Sequence, residues 1–140
     1  MEIRRIDDRL PDDAVSVRRA VFIEEQGVPE TRELDGNDDG ATHFVVYDGS
    51  EPIGTARLRD YDTETAKLER VAIVADRRGE GLGRELMATV EATAAATGYG
   101  RIVLHAQLSV VPFYAALGYD PVGDVFEDAG IDHRKMRKVL

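Results

Sequence analysis

The chain contains no cysteine among its 140 residues. That absence excludes a disulfide framework, a thiol nucleophile and a thiolate metal site. Lysine is almost as scarce: Lys67, Lys135 and Lys138 are the only three, and arginine supplies the remaining basic side chains. No apolar run approaches the ~20 residues that cross a bilayer. The opening MEIRRIDDRLPDD also lacks an apolar signal core. These absences lead to the expectation of a cytoplasmic protein with no membrane partner. The three histidines, His43, His105 and His133, are scattered without ligand spacing, so no metal is expected.

What is present is acid. The chain has 27 acidic and 18 basic residues, a formal charge of −9. Such a surface repels phosphate backbones and argues against nucleic acid as a partner. Two readings of the acidity stand side by side: attraction of a cationic amine, or a solvated surface of the kind a salt-loving host favours. The length suits one compact domain over residues 1–140, with 43% hydrophobic and 32% charged residues.

Along the chain, EIRRI (2–6) alternates as a first strand, and PDDAVSVRRAVFIEEQ (11–26) reads as a helix closed by Gly27. GVPETRELDGNDDG (27–40) carries turn formers and acids without periodicity, which predicts a long functional loop. THFVVYD (42–48) and PIGTARLRDY (52–61) form a strand pair across a DGSE turn, and AKLERVAIV (66–74) is a third strand. Leu82, Leu86 and Val90 then recur at helical spacing. RIVLHA (101–106) is a buried-type strand, VPFYAALG a brief helix, and YDPVGDVF and IDHRKMRKV are closing strands. The order β-α-β-β-β-α-β-α-β-β defines a mixed α/β sheet with helices on its faces.

Ahead of the second long helix, ADRRGEGLGRE places Gly79, Gly81 and Gly83 at alternate positions. A helix N-terminus presents unpaired N–H groups and a partial positive charge, and glycines let an anion approach them. Arg77, Arg78 and Arg84 flank that cradle. A P-loop would need Gly-Lys-Ser/Thr, and a dinucleotide fingerprint would need G-x-G-x-x-G near the first strand; neither fits. A plain strand-to-helix turn is the remaining alternative, although one glycine would serve it.

RRGEGLG, followed downstream by FYAALGY (113–119), resembles the GNAT N-acetyltransferase superfamily, whose signatures are Arg/Gln-x-x-Gly-x-Gly/Ala and Phe-Tyr-x-x-x-Gly-Phe/Tyr. The resemblance covers nearly the whole chain. FIEEQGVP, LHAQLSVVPFY and GIDHRKM further resemble a small prokaryotic branch, the ElaA-like or YjcF-like proteins. It implies a splayed GNAT-type sheet and acetyl-coenzyme A as co-substrate. The pyrophosphate would lie on the amides of Arg78, Gly79, Gly81, Leu82, Gly83 and Arg84. The pantetheine arm would run along Val71, Ala72 and Ile73, near Gln107 and Phe113. An N–H near Val71 would meet the oxyanion, and Tyr114 would protonate the leaving thiolate. The acceptor would be a primary amine of a small molecule or peptide, attacking within a ternary complex. A homodimer is an expectation of the resemblance alone. The alternative function is an acyl-coenzyme A sensor that keeps the cradle without the chemistry.

The base stays open among three residues. Glu69 acts directly or through a water, or else pairs with Arg70 or Lys67. His105 is a base or a satisfied core histidine, and His133, which matches the GI-x-H of the resembling branch, would line the acceptor pocket or act as the base. His43 reads as structural. Glu25 and Gln26 end the first helix at the expected acceptor mouth. Glu33, Asp35 and Asp38 would add an acidic lip for a cationic amine, or be solvated loop charge.

Overall fold

The computed structural model describes residues 1–140. Seven strands form one sheet in the order β1-β2-β3-β4-β5-β7-β6: β1 (Glu2–Asp7), β2 (Thr42–Asp48), β3 (Glu51–Asp60), β4 (Thr65–Ile73), β5 (Arg101–Gln107), β6 (Asp120–Asp128) and β7 (Ile131–Val139). All neighbours are antiparallel except β4 and β5, which pair in parallel over only four positions, Thr65↔Arg101 to Leu68↔Leu104. Beyond Leu68 and Leu104 the two strands part. That opening positions the site.

A bulge in β4 accompanies the parting. Against β3, Glu69 pairs with Arg57 and Ala72 with Thr55, so Arg70 and Val71 share the space opposite Ala56. Arg70 takes the left-handed φ of +56° that such a bulge imposes. The extra residue reverses the alternation. Leu68 joins the main core, Glu69 faces the opposite side, and after the bulge Val71 and Ile73 pack against that core while Ala72 meets Val17 and Val21.

Helix α3 (Leu82–Thr97) covers one face. Its Leu82, Leu86, Met87, Val90 and Ala94 are buried against Ala56, Leu58, Ala66, Leu68, Ile102 and Leu104. Leu86 is wholly enclosed, and truncating such a side chain costs about 2–5 kcal/mol. The opposite face of β2–β4 carries α1 (Asp12–Arg18), entered through Pro11 with Asp12 and Asp13 at the positive end of its dipole. The helix expected over 11–26 does not stay α-helical. It widens into π-helical turns over Arg19–Glu25, with Gln26 N–H bonding the Val21 carbonyl at 3.1 Å. Such widening commonly turns side chains into a site. The loop expected over 27–40 contains one helical turn, α2 (Glu30–Glu33). A six-residue helix, α4 (Val111–Ala116), follows β5. No helix is long and apolar enough to cross a membrane.

Candidate active site

The gap between β4 and β5 opens into a cavity of about 810 Å³. The free end of β4, the head of α3, the end of β5, α4, the widened turn of α1 and the β6–β7 hairpin line it. The residues expected to do the chemistry or to hold the coenzyme, together with Glu25, Gln26 and Glu33, border this one space; Asp35 and Asp38 of the expected lip do not.

The end expected to hold the coenzyme is built from backbone. Gly79 and Gly81 have φ of +80° and +83°, a region that side-chain-bearing residues rarely enter. A Cβ at either position would meet nothing within 4 Å, so the space above the loop is open. Gly83 has a different reason: a Cβ there would sit 3.3 Å from the Phe113 ring. Gly81 is the N-cap of α3 and supplies no side-chain cap. Arg84 stands at that helix head outside every ion pair. The uncapped amides and open floor fit a diphosphate.

Two expected contacts are diverted. The Arg78 side chain turns away from the cradle. It grips Glu25 through two hydrogen bonds of 2.7 and 2.8 Å and donates to the Ile73 carbonyl at 2.8 Å. Arg77 likewise pairs with Asp48 and Glu80. Glu25 is thus a clasp joining α1 to the cradle rather than an open lip. Gln26 and Gln107 bond each other at 2.9 Å, fixing Gln107 at the end of β5.

Between the ends lies Tyr114, 7% exposed, its ring edge-on to Phe113 and Tyr119 at 5.1 and 5.8 Å. Burial pushes its phenol well above the ordinary value, so it holds its proton at neutral pH. The hydroxyl is neither sealed nor bonded within the chain and faces the cavity.

The three candidate bases separate. Burial raises the Glu69 carboxyl, but Arg59, Arg57 and Lys67 together bring it below the usual carboxylate range. Arg57 Nη2 donates to it at 3.0 Å, Lys67 Nζ lies 3.6 Å away, and Arg59 bonds it closely. The expected pairing with Arg70 does not form; the bulge carries Arg70 to Glu33 at 2.6 Å and Asp35 at 3.3 Å. A carboxylate shared by three cations is a weak base. His105 is not a satisfied core histidine. It is exposed on β5 beside the cavity, its ring 4.9 Å from Phe126. Partial desolvation, then Lys67 and Lys135, lower its pKa and keep it neutral. His133 Nδ1 lies 2.7 Å from the Ile131 carbonyl, which can only accept, so Nδ1 is the donor and the tautomer with its lone pair on Nε2 is the one selected in the neutral ring. Phe126 stacks on that imidazole at 5.8 Å. Phe126 was not singled out from the sequence; a lone aromatic in a polar, exposed strand was the available signal.

The acids expected to form a lip or to be solvated are instead tied up in ion pairs, Asp35 included although it stays exposed. Glu33 and Asp38 are buried. Arg18 bonds Glu33 at 2.5 Å and Asp38 at 2.7 Å; Arg57 bonds Asp35 at 2.8 Å and Asp38 at 3.0 Å. Arg18 and Arg57 are themselves 1% and 0% exposed. These arginines strap the loop to the sheet. His43 is structural as expected, its Nε2 3.0 Å from the Asp38 carbonyl. No group of three or more His, Asp or Glu side chains is arranged to hold a metal.

A sheet splayed over an anion cradle, with a protonated tyrosine at the fork, is the architecture of an acyltransferase. The chain belongs to the GNAT acetyltransferase family: the description "Acetyltransferase (GNAT) domain" matches residues 8–140. YjcF of Bacillus subtilis (strain 168), described as an uncharacterized N-acetyltransferase, is 41% identical over 127 residues, covering 90% of each chain. The crystal structure of Escherichia coli ElaA superposes with a TM-score of 0.87 at 26% identity, covering 98% of each chain. An aminoglycoside 6′-N-acetyltransferase solved with coenzyme A shares the fold, with a TM-score of 0.80 at 17% identity over 99% of this chain and 97% of that one.

Proposed function

We propose that the protein transfers an acetyl group from acetyl-coenzyme A to a primary amine by direct attack within a ternary complex. The observation that carries this reading is the shared cavity. It joins an uncapped, glycine-floored helix head to a buried phenol across the unpaired end of β4. Bound acetyl-coenzyme A would supply an activated thioester, and the residues around it divide the remaining work.

The amides from Arg78 to Arg84 hold the diphosphate, with Arg84 adding its unpaired charge. Val71, Ala72 and Ile73 offer strand backbone to the pantetheine arm, so main-chain bonds supply affinity in the manner of an added strand. Gln107, fixed by Gln26, borders the same arm. The Val71 N–H donates to the oxygen that gains charge during attack. Tyr114 gives its proton to the departing thiolate.

The amine must lose a proton before it attacks. His133, its Nδ1 engaged by the Ile131 carbonyl, presents Nε2 as the atom that would take the proton, and His105 is kept neutral nearby; both suit that task better than Glu69. Since the chain has no cysteine, no thiol-borne acetyl-enzyme can form.

The test is release of free thiol from acetyl-coenzyme A across an amine panel, for the native protein and for Tyr114→Phe. The expected result is turnover that the variant loses. Thiol release no faster than background with every amine would remove the catalytic reading.

A further inference from the structure

The chain carries nine more acids than bases, yet five basic side chains have no carboxylate within 4.0 Å: Arg9, Arg84, Arg134, Lys135 and Arg137. In so acidic a protein a cation without a partner is the exception. Arg84 sits at the cradle; three of the other four lie on the single strand β7.

The placement of Lys135 and Arg137 is specific. Met136 and Lys138 face α3, Met136 within the core and Lys138 bonded to Glu91. Lys135 and Arg137 therefore share the opposite face with His133. The register sets Lys135 beside His105, and Arg137 beside Val103, which in turn lies beside Lys67. Helix α1 packs over β2–β4 on this side, chiefly on β3, while Arg137 on β7 and His105 on β5 are exposed.

The nearby acids do not neutralise this face. Glu69 is already divided among Arg57, Arg59 and Lys67. Asp120 lies opposite Arg137 in the register but forms no ion pair with it. The partner of Lys135 is Tyr61, whose hydroxyl accepts from Nζ at 3.4 Å and whose ring lies 5.2 Å beneath it. The depressed pKa of His105, due in part to Lys67 and Lys135, reports the same positive field. Meanwhile the acids expected to draw a cationic amine are spent on Arg18, Arg57 and Arg70. Lys135 and Arg137 stand just outside the cavity, on the sheet face that continues from His105 and His133, so an anionic protein carries unpaired cations beside that end.

We propose that the acceptor is a primary amine bearing an oxyanion, and that the oxyanion docks on Lys135, Arg137 and Lys67 while the amino group enters the cavity beside His105 and His133. Lys135 lies two residues, about 7 Å along the strand, from His133. A spacer of four or five bonds between amine and anion spans that length. This assignment names the substrate class for the acetyl transfer proposed above and rests on that reading.

One chain length with different terminal charges tests it. Calorimetric titration of the protein saturated with coenzyme A would use 5-aminopentanoate, 4-aminobutylphosphonate, 5-aminopentanamide and 1,5-diaminopentane. Both anions are expected to bind about tenfold or more tighter than the amide, with the diamine weakest. In Lys135→Gln/Arg137→Gln that preference should fall to within about threefold, while affinity for coenzyme A, measured on the same preparation, stays at the native value and verifies folding. Equal binding of acid and amide, tightest binding of the diamine, or a preference undiminished in the double variant would each overturn the assignment. Because the titration needs no turnover, anion preference without thiol release would count against acetyl transfer and for the docking site.

Discussion

The two ends of the cavity are made from different material. The end proposed for the coenzyme is main chain: two glycines at positive φ, an uncapped helix head and a strand edge without a partner. The end proposed for the acceptor is side chain: buried arginines strapping a loop, two imidazoles around Phe126, and unpaired cations on the adjoining face of β7. Backbone offers the same donors whatever the sequence, so it suits a ligand shared across a family. Side chains can be rearranged singly, so they suit the partner that differs between members.

Tyr114 stands between the ends, and its removal is the largest expected effect. Tyr114→Phe should lower kcat by about 10²–10⁴ with both affinities intact. Stopped-flow thiol release and coenzyme titration check the two halves of that statement, and a weakened coenzyme affinity would move Tyr114 into the binding end.

Next is Arg57→Met, which removes the one buried cation that Asp35, Asp38 and Glu69 share and leaves them only Arg70, Arg18, and Arg59 with Lys67. The expected loss is about 3–5 kcal/mol of stability, read from denaturant midpoints, with the damage falling on the acceptor loop. The same network sets an acid limit. Burial raises Asp35 and Asp38, but their bonds to Arg57 and Arg18 bring both below the ordinary carboxylate value, and Glu69 follows for like reasons. Carboxylates depressed in the fold contribute stability fully above their unfolded pKa of about 4, and that stability drains as pH falls through the lower folded values. Denaturant midpoints should hold from neutral pH to about 5 and decline below it. Arg57→Met should flatten that decline; an unchanged slope would mean that the strap is not its origin.

Gly81→Val breaks the other end. A β-branched residue at φ +83° costs about 1–3 kcal/mol and fills the open floor, so coenzyme affinity should fall at least about tenfold. Calorimetry should show acceptor-side anion binding unaffected. The smallest effect belongs to Glu69→Gln. A carboxylate spent on three cations leaves little for proton transfer, so kcat should change by less than about tenfold, against a larger fall for His133→Ala. The reverse ranking would return the base to Glu69.

The sequence was legible where the chemistry is local. Glycines at alternate positions before a helix, the Phe113–Tyr114 pair and the alternation of the strands all lie within a few residues of what they form. The acceptor end was legible only as composition. The acids of 27–40 read as a lip or as solvated charge because nothing nearby shows that Arg18, Arg57 and Arg70 claim them. One sign was present. Arg57 sits between Ala56 and Leu58 in an apolar strand, and a guanidinium there demands buried carboxylates from elsewhere. The bulge at Arg70 and the π-helical widening at Arg19–Glu25 left no mark on the hydrophobic pattern. Both are adjustments to neighbours distant in the chain.

The sequence by itself determined the element order, the family and the glycine-floored helix head, because backbone conformation and hydrophobic period are short-range properties. Only the tertiary structure decided where charge is neutralised and where it is left over. Ion pairing depends on distances of a few ångströms between residues tens of positions apart. A chain with nine surplus acids thereby presents a cationic face beside its cavity.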